Sequence, residues 1–473
     1  MATISEEIAA LRGTKPATFR NLLRDPSFSR LWRAILVSSL GDWVGFVAVV
    51  ALVTRLGGGR AEFAVAGVML ARLLPSILFG PFAGVLVDRF DRKRLMVVAD
   101  VTRGIGYASL AFMDSLAAIY VMSFAIECLS LVWAPARDAV IPNLVPRRQL
   151  VNANTVTLAT GYGTLPLGGI LFATLTLLSG ALGGRTGYLA ENPEAAALWL
   201  DALTFMFSAW MIWGVPVQKM GRGRGRGTGG FHPGQAFADM KEGVRFLKDH
   251  PFVRAMTVGI VLVFTGAGSV MALGPIFAEK TVQAGGTGWG VLVTAVGIGM
   301  ILGMVLVGQM TKLIEKDRLF PLAVMAGGVA VLVLAAMPNI ALAAVMTVAV
   351  GTAAGAAWVT GYTLLQENVT DELRGRVFGS LTVLSRLGLF VALAGFPVLA
   401  GVVGDHALDL GNVRIDLAGT RLALWTGAVV MLMAGIFARR GIAAGRLTRA
   451  RPLRLFPRLR KVERRGSFIV FEG

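Results

Sequence analysis

Five ionisable residues, Asp42, Arg72, Arg103, Glu127 and Arg386, stand inside stretches that are otherwise strongly apolar. A charge at the middle of a bilayer costs at least about 2.5–3.5 kcal/mol on insertion scales, so such residues are functional candidates by default. Carboxylates and guanidiniums in a low-dielectric interior have two uses. They can form permanent ion pairs that fix helix packing, or a carboxyl can take up and release a proton as its partner comes and goes. Asp42 and Glu127 are the candidate proton acceptors, and Arg72 and Arg103 their candidate partners. The competing reading is a fixed pair, Asp42 or Glu127 with Arg72 or Arg103, that never titrates. Arg386 has a plainer alternative too, satisfying carbonyls of a Gly-rich neighbour. Trp43, Phe46, Trp133 and Phe205 are of the type that lines a drug pocket, although aromatics in apolar helices more often serve packing or face lipid.

The elements that must carry these residues are membrane helices. Crossing a hydrocarbon core takes about 20 apolar residues, and such runs are predicted near 31–54, 62–87, 96–114, 117–141, 153–180 and 197–217. Six more follow near 253–278, 287–311, 319–337, 340–363, 377–403 and 420–438. At a rise of about 1.5 Å per residue, Asp42 sits roughly 16 Å beyond Leu31, and Arg72 about 15 Å from the outer end of its helix. Arg386 lies about 15 Å from Arg376 by the same measure. Arg103 and Glu127 are shallower but still inside.

Composition agrees. Of 473 residues, 55% are hydrophobic and the mean hydropathy is +0.68, well above the roughly 45–50% apolar share of a soluble domain. A net charge of +18 raises the possibility of nucleic acid, but that needs a basic face on a soluble domain, and here the cations sit in short segments between apolar runs. Membrane orientation explains them instead. The N-terminal segment, Arg89–Arg94, Arg147 and Arg148, Lys219–Lys248, Lys312–Arg318, Arg374 and Arg376, and the tail from Arg439 all fall on one side, which the positive-inside rule makes cytoplasmic. An even number of spans puts both termini there. The N-terminus lacks the apolar core and cleavage site of a signal peptide, so the first span is expected to be retained. Cys128 is the only cysteine and the three histidines fall in loops, so neither a thiolate nor a His-rich metal site is expected, and no cofactor.

The loop Gly84–Leu95 interrupts two apolar runs with a dense cluster of charge, including Asp88, Arg89, Asp91, Arg92, Lys93 and Arg94. It resembles the signature of the major facilitator superfamily: a glycine, then Asp-Arg, then a basic cluster between helices 2 and 3. Gly84, Asp88, Arg89, Phe90, Arg92, Lys93 and Arg94 fall in place, but Asp91 stands where that family usually has glycine. A weaker copy recurs at Gly308 and Lys312 with Glu315–Arg318, and the spacing from Gly84 to Gly308 equals that from Val145 to Val369. Such an echo is expected of two six-helix halves related by an axis along the membrane normal. Ala134–Asp138, with Arg137 and Asp138, and Asp371–Gly379, with Arg374, Gly375 and Arg376, resemble more narrowly the exporters of macrolides, tetracyclines and siderophores that run as drug:proton antiporters.

The resemblance implies an all-α fold of about twelve transmembrane helices in two pseudo-symmetric halves, and export of small amphipathic molecules against protons by alternating access. It also implies a gate in which Asp88 meets the start of the helix near Arg376, and the motif arginines meet Asp138. A neighbour pair of Asp138 with Arg137 is the alternative. The expected organisation is an N-terminal segment 1–30, a first half 31–217, a flexible basic linker 218–250 built on Gly221–Gly230, a second half 251–440 and a polybasic tail 441–465. That tail is expected to lie on anionic lipid head groups of the cell membrane. Residues 466–473, Gly-Ser-Phe-Ile-Val-Phe-Glu-Gly, resemble the first strand of thymidylate kinases. No G-x-x-x-x-G-K-[ST] follows, so this chain is not expected to be an enzyme. The alternatives are a transporter–kinase fusion that moves or senses nucleosides, and a lysophospholipid carrier. A monomer is expected.

Overall fold

The structure, a computed structural model, describes residues 22–80, 86–87, 90–146, 149–182, 187–216, 251–369, 371–404, 406–410, 413–417 and 419–450. The first half runs α1 (Pro26–Gly57), α2 (Ala61–Leu78), α3 (Arg92–Leu110), α4 (Leu116–Leu144), α5 (Leu150–Gly163), α6 (Leu165–Leu182), a short α7 (Tyr188–Glu191) and α8 (Ala195–Trp213). The second runs α9 (Pro251–Ile276), α10 (Gly285–Met310), α11 (Lys316–Ala335), α12 (Ile340–Asn368), α13 (Asp371–Phe390), α14 (Phe396–Val403), strands β1 (His406–Leu410) and β2 (Val413–Leu417), and α15 (Gly419–Ala450).

Among the described residues, ten helical stretches are long and apolar enough to cross a membrane. One of them, Pro26–Leu78, holds both α1 and α2, and α3 falls outside that count because of its charges. The α5–α6 and α13–α14 pairs each make one crossing, so the predicted dozen is recovered. A π-turn at Val391–Gly395 joins α13 to α14.

Local sequence explains where the helices begin. Asp25 caps α1, its carboxylate accepting from the backbone N–H groups of Ser27 and Phe28, with Pro26 at the first helical position. Asp91 caps α3 in the same way, accepting from Arg94 N–H at 2.9 Å. The residue that departs from the family pattern therefore has a structural use. The loop expected between the last two spans is an antiparallel hairpin instead, with His406 opposite Leu417 and Leu410 opposite Val413. Strand β2, Val-Arg-Ile-Asp-Leu, alternates apolar and charged residues with the period of a strand, as β1 does over its last three residues, so one of the three histidines lies in a strand and not in a loop.

Within the second half, α10 and α12 cross at very close range. A Cβ added at Gly299 or Gly303 would lie 2.2 Å from Val348 O or 2.1 Å from Thr352 O. One added at Gly351 or Gly355 would lie 2.3 Å from Val296 O or Met300 O. Two small-x-x-x-small pairs thus face each other, the device by which membrane helices approach without a hydrophobic force between them. The two halves meet through α6 and α10, where Gly169 packs on Gly290 and Thr294 donates to Pro166 O. They also meet through an ion pair, Lys280 Nζ to Glu62 Oε1 at 2.7 Å. Both contacts lie toward the end opposite the basic loops.

Candidate functional site

Helices α1, α2, α3, α4 and α8 bring the charges of the first half together. Arg103 on α3 is the hub. Its Nη2 donates to Asp42 Oδ1 at 2.7 Å, and its Nη1 donates to Asp100 Oδ1 at 3.4 Å. The guanidinium lies 4.0 Å from the ring centroid of Phe205, which stacks on Tyr107. The three side chains differ in access: Arg103 is 5% exposed, Asp100 is fully buried and Asp42 is 42% exposed. Ser208 on α8 donates to the other Asp100 oxygen at 2.7 Å. One cation therefore bridges a carboxylate open to the interior space and another sealed in protein.

Arg72 and Glu127 form the second cluster. Arg72 Nη2 lies 3.8 Å from Glu127 Oε2, and its Nη1 donates to Tyr107 Oη at 3.2 Å. Phe46 on α1 lies under the same guanidinium. Tyr107 links the two clusters, because its hydroxyl holds Arg72 while its ring stacks on the Phe205 that supports Arg103. Sequence reasoning named Asp42, Arg72, Arg103 and Glu127, and the structure brings all four into this one region.

It missed two carboxylates. Asp100 and Asp201 are both fully buried, in spans the sequence had already marked as apolar, so the signal that picked Asp42 was available for them. Asp201 on α8 faces Gly41 and Gly45 of α1, where an added Cβ would lie 2.4 Å and 2.0 Å from its carboxylate oxygens. Arg386 shares none of the hydrogen bonds or ion pairs described for these clusters, though its charge acts on Glu127. It is exposed, and its Nη1 comes within 3.7 Å of the Cβ position of Gly80, beyond the end of α2.

The aromatics divide. Phe205 and Trp133 are buried, whereas Trp43 and Phe46 are half-buried and pack edge to face. Trp43 Nε1 donates to Gly161 O across to α5 at 2.9 Å. A run of four aromatic rings lies in the second half, where Phe264, Trp358, Tyr362 and Phe378 follow one another with ring centroids 4.9–5.2 Å apart. The first three line an apolar cavity of about 210 Å³ between α9, α10, α12 and α13, together with Met271, Met300 and Leu389. Sequence reading looked for a pocket among first-half aromatics and had no means to see this convergence.

At the basic end, the motif cations bind the tails of helices. Arg92 donates to Ala139 O near the end of α4 at 3.1 Å, and Lys93 to Val215 O just past α8 at 2.8 Å. Cations at helix C-termini satisfy leftover carbonyls and oppose the helix dipole. Asp138 pairs with its neighbour Arg137 at 2.8 Å, so the expected link from the motif arginines to Asp138 is corrected for Arg92, which takes the adjacent carbonyl. In the second-half copy, Lys312 donates to Gln309 within its own helix end, and Lys316 pairs with Glu367 of α12. Gly308 has open space around it. Gly84, Asp88 and Arg89 lie outside the described residues, as do the side chains of Arg374 and Arg376, and nothing is described of Gly375 beyond its place in α13.

Two six-helix halves, with buried ion pairs in one and an aromatic cavity in the other, define a polytopic membrane transporter of the major facilitator fold. The chain belongs to the transmembrane secretion effector family of that superfamily, whose model matches residues 18–440. It is 27% identical over 407 residues to the multidrug efflux pump Tap of Mycobacterium tuberculosis, covering 83% of this chain and 91% of Tap. It is 26% identical over 381 residues to the MFS-type transporter YfiS of Bacillus subtilis, covering 78% and 85%. Among solved structures it is similar to an inward-facing, unoccupied bacterial homologue of the human lysosomal transporter Spinster, with a TM-score of 0.67, 14% identity and coverage of 92% and 99%. A D-xylose-proton symporter gives 0.61, 14% identity and coverage of 86% and 96%. These structural likenesses are of fold alone. The protein is thus a multi-pass membrane transporter and not an enzyme. Residues 466–473, which resemble a kinase strand, lie outside both the family match and the described residues.

Proposed function

We propose that the protein exports small amphipathic molecules across the cell membrane in exchange for protons, by alternating access, with its basic end and both termini in the cytoplasm. The observation that carries this reading is the division of Arg103 between the exposed Asp42 and the buried Asp100. A proton arriving at Asp42 removes the charge that holds one arm of the guanidinium, and Arg103 then turns wholly to Asp100. Since Arg103 also rests on Phe205 of α8, that change alters how α1, α3 and α8 are held together. Glu127 with Arg72 supplies a second pair of the same kind. In this reading the apolar cavity beside Trp358 and Tyr362 takes the hydrophobic part of the substrate, so proton and cargo bind in different halves and are coupled by their rocking. Tap, a multidrug efflux pump by name, is consistent with such cargo. The arginines of the tail from Arg446 onward would rest on anionic lipid.

The test uses everted membrane vesicles containing the full chain and ethidium as the cargo probe. Ethidium uptake should dissipate an imposed proton gradient, and Asp42→Asn should abolish uphill accumulation while the protein still inserts. If Asp42→Asn accumulates ethidium with unchanged pH dependence, Asp42 is not the coupling residue. If the wild-type chain moves ethidium without moving protons, the antiport reading fails.

A further inference from the structure

Four carboxyl groups lie inside the first half, Asp42, Asp100, Glu127 and Asp201, against two cations, Arg72 and Arg103. Arg386 of the facing half adds a third cation, but it is exposed and sits beyond the far end of α2. The pairing is uneven. Arg72 is taken by Glu127, and Arg103 is shared by Asp42 and Asp100. Asp201 is left with no ion pair among the described residues. Its Oδ1 accepts from the Thr204 hydroxyl at 3.2 Å, a hydroxyl that also donates to Asp201 O at 2.7 Å. Its Oδ2 is buried and has no hydrogen-bond partner. An ionised carboxylate in that position would hold a bare oxygen, with two lone pairs and a share of negative charge, against the Cα of a glycine. Leaving a buried charge uncompensated costs several kcal/mol, which is why such groups neutralise instead.

We propose that Asp201 is a second proton-carrying site, distinct from Asp42, and that in this conformation its Oδ2 carries the hydrogen. This deepens the antiport reading and rests on it for the proton's use, though not for its presence. The groups around Asp201 fit the role. From α1 the titratable group is Asp42, next in sequence to the Gly41 on which Asp201 packs. From α2 it is Arg72, and from α3 Asp100, Arg103 and Tyr107, whose ring edge shares the space beside Gly45 with Asp201 Oδ2. Helix α6 brings none. Sliding of α1 along α8 would take the glycines off the carboxyl and open it to Arg103 or to water, and the proton would then leave. The glycines at 41 and 45 are the reason a carboxyl fits there at all.

Infrared spectroscopy of the full chain in detergent micelles tests the protonation directly, with protons as the only probe. A protonated-carboxyl C=O band should be present at neutral pH, should be lost in Asp201→Asn, and should shift in Gly45→Ala, where a new Cβ would crowd Oδ2. Asparagine copies the shape of the neutral acid, so Asp201→Asn should keep the wild-type melting temperature. No such band in the wild-type chain, or a band unchanged in Asp201→Asn, overturns the proposal. A second arm reads its use: protons moved per ethidium in proteoliposomes should fall by about one in Asp201→Asn, by the linkage of binding to bound protons, while ethidium exchange persists. An unchanged ratio overturns the coupling role. Wild-type transport without protons would sink the antiport reading while the infrared result still decides whether Asp201 holds its hydrogen.

Discussion

Arg103 is where a single side chain does most. Removing its guanidinium leaves Asp100 sealed in protein beside neutral groups such as the Ser208 hydroxyl, with no paired cation. Breaking a buried pair by deleting one partner costs about 3–5 kcal/mol, so Arg103→Ala should lower the thermal midpoint of the purified protein or prevent its accumulation in the membrane. Arg103→Ala combined with Asp100→Asn should recover much of that loss, because the stranded charge is gone. Arg103→Lys is expected to fold and yet transport poorly, since one ammonium cannot span Asp42 and Asp100 as a planar fork does. Intramembrane charge was legible in the sequence, which is why four members of the cluster were named from residue type and depth. Which acid faces which cation was not, because helix rotation is set by packing. Asp100 stands six residues after Arg94, inside the third predicted span, and carries the same signal of intramembrane charge as Asp42. Asp201 in the sixth span carries that signal too.

At the scale of the element, glycine and capping residues decide how helices start and how close they come. Any side chain on the α10–α12 crossing must push into a backbone carbonyl, so Gly351→Ala and Gly303→Ala should each destabilise by about 1–3 kcal/mol, the usual cost of overpacking. Gly308→Ala lies on the same helix in open space and should be neutral or stabilise by up to about 1 kcal/mol, since glycine is a poor helix former. Thermal midpoints of the three variants in one detergent would check the contrast. Asp91→Ala should cost about 1 kcal/mol through loss of the α3 cap, and Asp91→Gly only a few tenths. The twelve crossings were legible because a bilayer demands long apolar runs. The paired strands 406–410 and 413–417 were partly written in the alternation of Val413–Leu417, but short strands beside such runs were read as a loop.

For the whole molecule, the contact that matters is the one between halves. Lys280 and Glu62 join α2 to the turn after α9 from opposite halves, and Glu62 is buried. In the proposed alternating-access cycle, rocking of the halves would break this pair, so the pair favours the arrangement described here over its opposite. Lys280→Glu should therefore shift the protein toward opening at that end, seen as faster labelling of a cysteine placed at Thr54 in a Cys128→Ala background. Combining it with Glu62→Lys should restore the wild-type labelling rate. If the single and double variants label alike, the pair is a passive surface contact. The pseudo-symmetry of the halves was legible in the repeated spacing of the motif, but this pair was not, because both residues sit at span ends where charge is ordinary.

The halves share an architecture and not a composition. Buried acids and arginines crowd the first, while the second holds an aromatic cavity with Arg386 as the one intramembrane charge among its described residues away from helix ends. On the proposed division of proton and cargo sites, such a molecule can evolve its two tasks separately. Substitutions among Phe264, Met300, Trp358 and Leu389 would then redraw the range of compounds accepted without touching the first-half charges. Under selection by a new toxic compound, adaptive changes are expected to gather in α9, α10, α12 and α13, and the first half to stay as it is.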